Sequence, residues 1–385
     1  MNTLSDKADP LVKGWCPGAL RPMLSGDGLV VRVRPFLGRL RRAQADGLAT
    51  LAAAHGNGLI DLSSRGNLQL RGVREDSFAP LLEGLRGLNL LDDTAEAESR
   101  RNILVMPFWQ SGDETECLAA ALTDALIHAE DLALPAKFGF AVDTGAAPLL
   151  QRDSADIRLE RSTQGDLLLV ADGGALAKSV DLQTAIPAAI ALVHWFVQNR
   201  GDHTRMARLL GAGAALPEGF TRPRQTQTET PRPRLAPQGA LTGVAFGQLS
   251  VETLSALAKQ GALRMTPWRM VLIEQAQSLP EIDGLIGDAG DPLLRIIACT
   301  GAPRCPQAHF ETRALARDIA PHLDPHLHPG QSLHISGCAK GCAHPRSAAL
   351  TITGTAQGLN LIHNGRASDA PAQTGLSPHS ILKAI

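Results

Sequence analysis

The chain has 385 residues, with 37 Lys and Arg against 38 Asp and Glu, so its formal net charge is −1. That length holds two or three domains with a real core, and the balanced charge excludes the basic footprint of a nucleic-acid binder. Lysine supplies only 7 of the 37 basic residues. Codon bias accounts for most of the arginine excess, while planar, permanently charged forks would suit a ligand rich in carboxylates.

The N-terminal stretch MNTLSDKADPLVKG carries no apolar segment, so neither a secretory nor an anchoring signal is expected. KGWCPGALRPMLSGDGLVVRVRP then runs through Gly/Pro-rich coil into a strand from Leu29 to Val33, on which Arg32 and Arg34 should share a face. Leu40 to His55 predicts a helix, with Leu48 and Leu51 on one side. After Asn57-Gly58, GLIDLSSRGNLQLRG predicts one strand, its polar face formed by Arg65, Asn67, Gln69 and Arg71. Only donors and amides line that face, which points to an anionic ligand.

A leucine-rich helix near Leu81 to Leu91 is followed by a strand entered through Arg100 and Arg101 in ESRRNILVMPFWQ. The pattern next predicts a helix near Cys117 to Leu132, with Cys117 in core packing. ALPAKFGFAVDTG predicts a strand with Lys137 and Asp143 at its ends, and DIRLERSTQGDLLLVADGG a hairpin turning at Gln164-Gly165. The run AIPAAIALVHWFV, within a helix from about Leu182 to Arg200, is too short for the ~20 residues that span a bilayer. It predicts a buried helix in a cytoplasmic protein. Cys16, in coil, is expected to be structural.

Residues 216–240 are rich in Pro, Thr, Gln and Arg and predict a linker. Beyond it the pattern repeats: ALTGVAFGQLSVETLSALAKQGALRMTPWRMVLIEQ again gives strand, helix, glycine turn and strand. Leu254 and Leu257 would match Leu48 and Leu51, and LRMTPWR falls where IDLSSRG fell. Later, LTITGTAQGLNLIHNGRA echoes IRLERSTQGDLLLVADGGA. Two matches in one order predict an internal duplication.

Cys299, Cys305, Cys338 and Cys342 form a C-x5-C-x32-C-x3-C pattern in ACTGAPRCPQAHF and HISGCAKGCAHPRS. Four thiolates on glycine-punctuated turns point to a 4Fe-4S cluster. Zinc is the competitor, but its structural sites favour pairs two to four residues apart, repeated in both halves. A disulfide framework has little support in a long chain without a secretory signal.

That cysteine spacing resembles the cluster signature of the siroheme-dependent sulfite and nitrite reductases, and KGWCPGALRP, RMTPWR and SGCAKGCAHP look like the precorrin-3B synthases within that superfamily. The resemblance spans nearly the whole chain. It implies an α+β, internally duplicated sulfite/nitrite reductase-like fold with ferredoxin-like half-domains and two α/β domains. The expected boundaries are 1–80 and 81–215 for the first half-domain and α/β domain, 216–240 for the linker, and 241–285 and 286–385 for the second pair.

By the same resemblance a tetrapyrrole lies in a crevice between the halves, lined by Arg32, Arg34, Arg65, Asn67, Gln69, Arg101 and Lys137, with Trp268 and Arg269 from the second half. Sulfite reductases resembling this chain have a second lysine two places after the one in LPxKFK; here that place is Gly139. The implied activity is O2- and NADH-dependent hydroxylation and lactone formation on precorrin-3A in cobalamin biosynthesis, and the alternative is siroheme-dependent sulfite or nitrite reduction. The implied cofactors are the 4Fe-4S cluster and a mononuclear non-haem iron. No metal-ligand spacing selects that iron's ligands from His309, His334, His344, His322, His326 and His328. GAGAAL and GLIGDAG do not make a dinucleotide fingerprint, so electrons are expected through a separate reductase.

Overall fold

A computed structural model describes residues 17–129, 132–224, 231–323, 327–328 and 330–385. The chain forms two compact units: Asp288–Ile385 with Leu24–Gly28, and Leu29–Gly287 with the described residues up to Met23. The fold is α+β.

The larger unit begins with the elements of the first half-domain. After the short β1 (Met23–Ser25) come β2 (Gly28–Val33), β3 (Arg39–Leu40), the helix α1 (Arg42–His55), β4 (Leu59–Leu62) and β5 (Leu68–Val73). Alternation drives the local structure: Val31, Val33, Leu68 and Leu70 are fully buried, while Arg32 and Gln69 between them stay half-exposed. The stretch expected as one long strand is instead the β4–β5 hairpin. Gly66, at φ +63°, turns the chain, so Arg65 and Asn67 lie in the turn and only Gln69 and Arg71 keep the alternation.

The first α/β section supplies α2 (Phe78–Gly87), α3 (Ala95–Arg100), β6 (Ile103–Val105), α4 (Glu114–His128), β7 (Phe140–Asp143), β8 (Ile157–Arg161), β9 (Leu167–Ala171), β10 (Leu176–Val180), α5 (Ala185–Asn199), α6 (Met206–Gly211) and β11 (Phe220–Pro223). Its sheet runs β11-β10-β9-β8-β7-β6, parallel from β6 to β8 and antiparallel beyond. α5 buries Ala189, Leu192, Val193 and Phe196 against it. Cys117 corrects an expectation. α4 buries Thr115, Leu118, Ala119, Leu122 and Leu126, and 100° per residue puts Cys117 on the exposed side. Among the described residues no helix is long and apolar enough to cross a membrane.

The stretch expected as a linker carries a strand near each end: β11 pairs with β10, and β12 (Arg234–Ala236) pairs with β13 (Gly239–Val244). The second half-domain continues with β14 (Gln248–Ser250), α7 (Val251–Gln260), β15 (Leu263–Met265), β16 (Met270–Glu274) and β17 (Leu285–Ile286). The two half-domain sheets exchange edge strands. β14 pairs with β4, setting Leu249 opposite Ile60, while β3 pairs with β15, setting Leu40 opposite Leu263. Both exchanged strands follow a one-turn 3-10 segment with a left-handed residue, Leu37 at φ 55° and Phe246 at φ 57°.

This matching shows the duplication in detail. In step with Leu37 and Phe246, Leu48 matches Leu257 and Ala45 matches Leu254, so the leucine pairing expected from sequence is out by one helical turn. α1 and α7 pack together, with Leu48, Leu254 and Leu257 fully buried. α1 is 14 residues long and α7 is 10, a difference of about one turn. After the helices the expected match holds: both hairpins leave five residues between their last paired positions, Leu62 with Leu68 and Met265 with Val271. Arg269, at φ 58°, therefore stands where the first copy has Gly66.

The smaller unit contains β18 (Ile296–Ala298), α8 (Thr312–Ile319), β19 (Leu333–Ser336), β20 (Ala348–Thr355), β21 (Gly358–Gly365), β22 (Gln373–Leu376) and α9 (Pro378–Ala384). Its sheet order, β18-β19-β20-β21-β22, is parallel to β20 and antiparallel after it, the same plan as β6 to β10.

Candidate metal centre and basic site

In open α/β sheets, ligands gather outside the carboxyl ends of parallel strands. Cys299 follows β18 directly and continues its ladder, its N–H donating to Ile335 O at 3.2 Å. Cys338 follows the neighbouring β19, so register places both at the same sheet end. The loop carrying Cys305 is tied back by Ala302 N–H to Phe310 O at 2.9 Å, Thr312 Oγ1 to Cys299 O at 2.7 Å and His309 N–H to Gly337 O at 2.9 Å. Gly337 permits this closeness, because a Cβ there would lie 2.5 Å from the Ala308 Cβ.

The sulfurs sit in a field suited to bound metal. Gly337 N–H donates to Cys299 Sγ at 3.2 Å, and Lys340 N–H donates to the Cys338 sulfur. Burial pushes the Cys338 thiol up from its ordinary range, and repulsion from Cys305 and Cys299 adds to that. Cys342 is exposed as a residue, but protein crowding its sulfur pushes that thiol up too; Lys340 opposes this, while Cys338, Cys299 and Cys305 reinforce it. Cys338 and Cys342 thus each lie within electrostatic reach of Cys299 and Cys305, and a cationic iron core would relieve that repulsion. Among the described residues no three His, Cys, Asp or Glu side chains gather around a single ion. One zinc would draw its thiolates to within about 4 Å of each other. A cubane puts each thiolate on its own iron, so its four ligands stand further apart.

His334 lies beneath this region, fully buried and with both ring nitrogens lacking hydrogen bonds. Burial pulls it down to about 4 with help from His344, whose ring stands edge-on at 5.6 Å, so His334 is neutral. His326 and Cys16 lie outside the described residues.

The expected ligand-binding residues separate into two groups. Arg101 and Arg34 are held by acids within the fold. Arg101 grips Asp92 through two bonds, 2.8 and 2.7 Å, donates to Arg34 O and lies over the Phe36 ring. Arg34 pairs with Glu98, which also accepts Ala19 N–H and Leu20 N–H. Asp61 lies 3.7 Å from Arg71, overturning the expectation that this face holds only donors. Arg32 donates to Gln69 across the strands at 2.9 Å. Asn67, buried, closes the hairpin with Ser63 through its backbone.

Arg65 and Lys137 do meet. Arg65 Nη2 donates to Lys137 O at 2.6 Å and to Ser154 Oγ at 3.1 Å, while the Lys137 side chain is exposed. Arg269 follows Trp268, whose Nε1 donates to Asp153 at 3.0 Å, and burial pulls the Arg269 guanidinium down to about 10. Gly139 is closed: a Cβ there would meet Asn102 Nδ2 at 2.7 Å and Arg65 Nη1 at 3.0 Å. Sequence reasoning missed Glu98, Asp92, Asp156 and Arg205. Glu98, Asp156 and Arg205 lie far along the chain from their partners, and no regular spacing ties Asp92 to Arg101 nine residues on.

Residues 21–88 match the nitrite/sulfite reductase ferredoxin-like half domain. The chain is 28% identical over 404 residues to a precorrin-3B synthase of Sinorhizobium sp, covering 94% of this chain and 84% of that one. It is 26% identical over 409 residues to a ferredoxin–nitrite reductase of Synechococcus elongatus, covering 88% and 78%. Among solved structures, the NirA protein of Mycobacterium tuberculosis superposes with a TM-score of 0.60 at 20% identity, over 85% of this chain and 71% of that one. The chain has the sulfite/nitrite reductase-like fold, and its likeness to a precorrin-3B synthase and a nitrite reductase supports that superfamily. Within it, the likeness extends over nearly the full length to a precorrin-3B synthase.

Proposed function

We propose that this oxidoreductase acts on a tetrapyrrole as a precorrin-3B synthase, hydroxylating precorrin-3A and closing a lactone with O2 and electrons that originate in NADH. The full-length likeness to the Sinorhizobium protein supports that reading. Gly139 carries the choice against reduction of a small oxyanion. A lysine at this position would have to displace Arg65 and Asn102, so the second cation of the sulfite reductase pattern has no room.

Cys299, Cys305, Cys338 and Cys342 would hold a 4Fe-4S cluster, which when bound supplies one-electron transfer. The rest falls to the chain's own side chains. Arg65, Lys137, Arg32 and Arg269 would orient the substrate through its carboxylates, the planar guanidinium forks fixing angle as well as charge. The histidines gather no set of three for a second iron among the described residues, so the site of that iron is left unassigned. Electrons are proposed to enter from a separate reductase protein.

Anaerobically purified protein incubated with precorrin-3A, O2 and a reductant should give a product heavier by one oxygen atom. Siroheme bands in the purified protein, with turnover of sulfite or nitrite, would replace this reading with the reductase one.

A further inference from the structure

Gly139 N–H and C=O are both held by Asp156. The Gly139 N–H donates to Asp156 Oδ2 at 3.0 Å, and the Asp156 N–H donates back to Gly139 O at 2.6 Å. Asp156 is completely buried. Its carboxylate also accepts Met206 N–H at 2.9 Å and Arg205 Nε at 2.9 and 3.1 Å on its two oxygens. Burial pushes this carboxyl up, and Arg205, with the Met206 and Gly139 N–H groups, pulls against that rise. A buried carboxylate deprived of that partner would be strongly destabilising.

Arg205 makes a second contact, through Nη2 to Ser154 Oγ at 3.1 Å, and the same oxygen accepts Arg65 Nη2 at 3.1 Å. A hydroxyl oxygen has two lone pairs, and here both face arginine. The two Nη2 atoms are therefore within about 6 Å of each other, a like-charge approach that an incoming carboxylate would relieve. The other arm of Arg65, Nη1, lies 3.0 Å from where a Gly139 side chain would begin.

We propose that Asp156, Ser154 and Arg205 are positioning residues that lay the Arg65 guanidinium over Gly139, turning its Nη1 arm toward a carboxylate of the substrate. The proposal rests on the tetrapyrrole reading and gives that reading a specificity device. Where a lysine would offer a freely rotating point charge to a small oxyanion, the braced arginine offers a donor arm held in one plane. Three parts must coincide: no side chain at 139, a hydroxyl at 154 and a cation at 205.

The test is fluorescence titration of an octacarboxylate porphyrin into the cluster-loaded protein. Ser154→Ala should weaken binding about tenfold, and Ser154→Thr, which restores the hydroxyl, should recover most of it. Arg205→Ala and Gly139→Lys should each weaken it by more than tenfold, while Arg86→Ala, which alters an exposed pair with Glu83, should bind as the parent does. Cluster absorbance and melting temperature of Ser154→Ala should match the parent, separating positioning from loss of fold. Parent-like affinity in both Ser154→Ala and Arg205→Ala would overturn the brace and leave the tetrapyrrole reading standing. Absence of porphyrin binding by the parent would overturn both.

Discussion

Met106 and Cys299 occupy the same place in two copies of one sheet. Each follows the first parallel strand and extends its ladder, Met106 N–H to Val142 O at 2.9 Å and Cys299 N–H to Ile335 O at 3.2 Å. Beyond that position the copies diverge. Met106 packs into an apolar cluster with Leu104, Ala141, Leu150 and Ala155, whereas Cys299 lies within electrostatic reach of the Cys338 and Cys342 thiols. The neighbouring strands end on Asp143 and Ser336. The Asp143 carboxylate draws its following loop back, accepting Leu149 N–H at 2.5 Å and Leu150 N–H at 2.7 Å. Ser336 Oγ donates to Cys338 O at 2.7 Å and shapes the cysteine loop. One strand plan thus supplies either a sealed core or a cysteine-bearing rim, and the residue types at the strand ends decide which.

The largest effect should separate those two places. Cys299→Ser and Cys338→Ser should abolish the visible absorbance of the cluster and most of the iron, whereas Met106→Leu should change neither, a swap costing under ~1.5 kcal/mol. Iron and sulfide analysis of the three proteins checks this, and an intact cluster in Cys338→Ser would sink the thiolate assignment. Next come the matched leucines of the packed helices. Leu48→Ala and Leu257→Ala should each destabilise by about 2–5 kcal/mol, because both side chains are fully buried. Denaturant melts giving one large value and one near zero would break the equivalence of the halves.

Asp143 sharpens the contrast through pH. Burial pushes its carboxyl from the ordinary 3.8 to about 6, so the folded protein holds a proton that the unfolded chain releases. The associated stability is fully present below about pH 4 and is lost as pH rises through about 6, to the extent of about 3 kcal/mol. Asp143→Asn should flatten that part of the stability–pH curve, measured by urea melts between pH 4 and 7. An unchanged slope would show that other groups carry the dependence.

The four cysteines stand out in the sequence as two local pairs, and the register of β18 with β19 brings Cys299 and Cys338 to one end of the sheet. The duplication was legible at the Leu263–Arg269 stretch and one turn out at the helices, since leucines recurring every three or four residues match almost as well after a slip of one turn. The roles of Arg34 and Arg101 were not legible. A basic residue bound for a ligand and one bound for a distant acid look identical until the fold brings Glu98 and Asp92 to them. Nor could alternation alone show that Arg65 and Asn67 turn a hairpin, since a polar turn and a polar strand face share composition. The closure at Gly139 depends on Asn102 and Arg65 arriving from elsewhere in the chain.

The smallest effect tests the match of Arg269 with Gly66. A left-handed backbone suits glycine and costs other residues about 1–2 kcal/mol, so Arg269 keeps a strain at φ 58° that the first copy avoids at φ +63°. Arg269→Gly and Arg269→Ala both remove the half-buried guanidinium and differ chiefly in tolerance of that backbone. The glycine variant should therefore be the more stable by about 1 kcal/mol in denaturant melts, while both bind a polycarboxylate porphyrin equally weakly. Gly66→Ala should show the reciprocal loss of similar size. Equal stability of the two Arg269 variants would mean that the turn relaxes once its side chain is gone. In that case Arg269 itself imposes the strain, and the second hairpin holds glycine geometry at a non-glycine residue in order to present a cation.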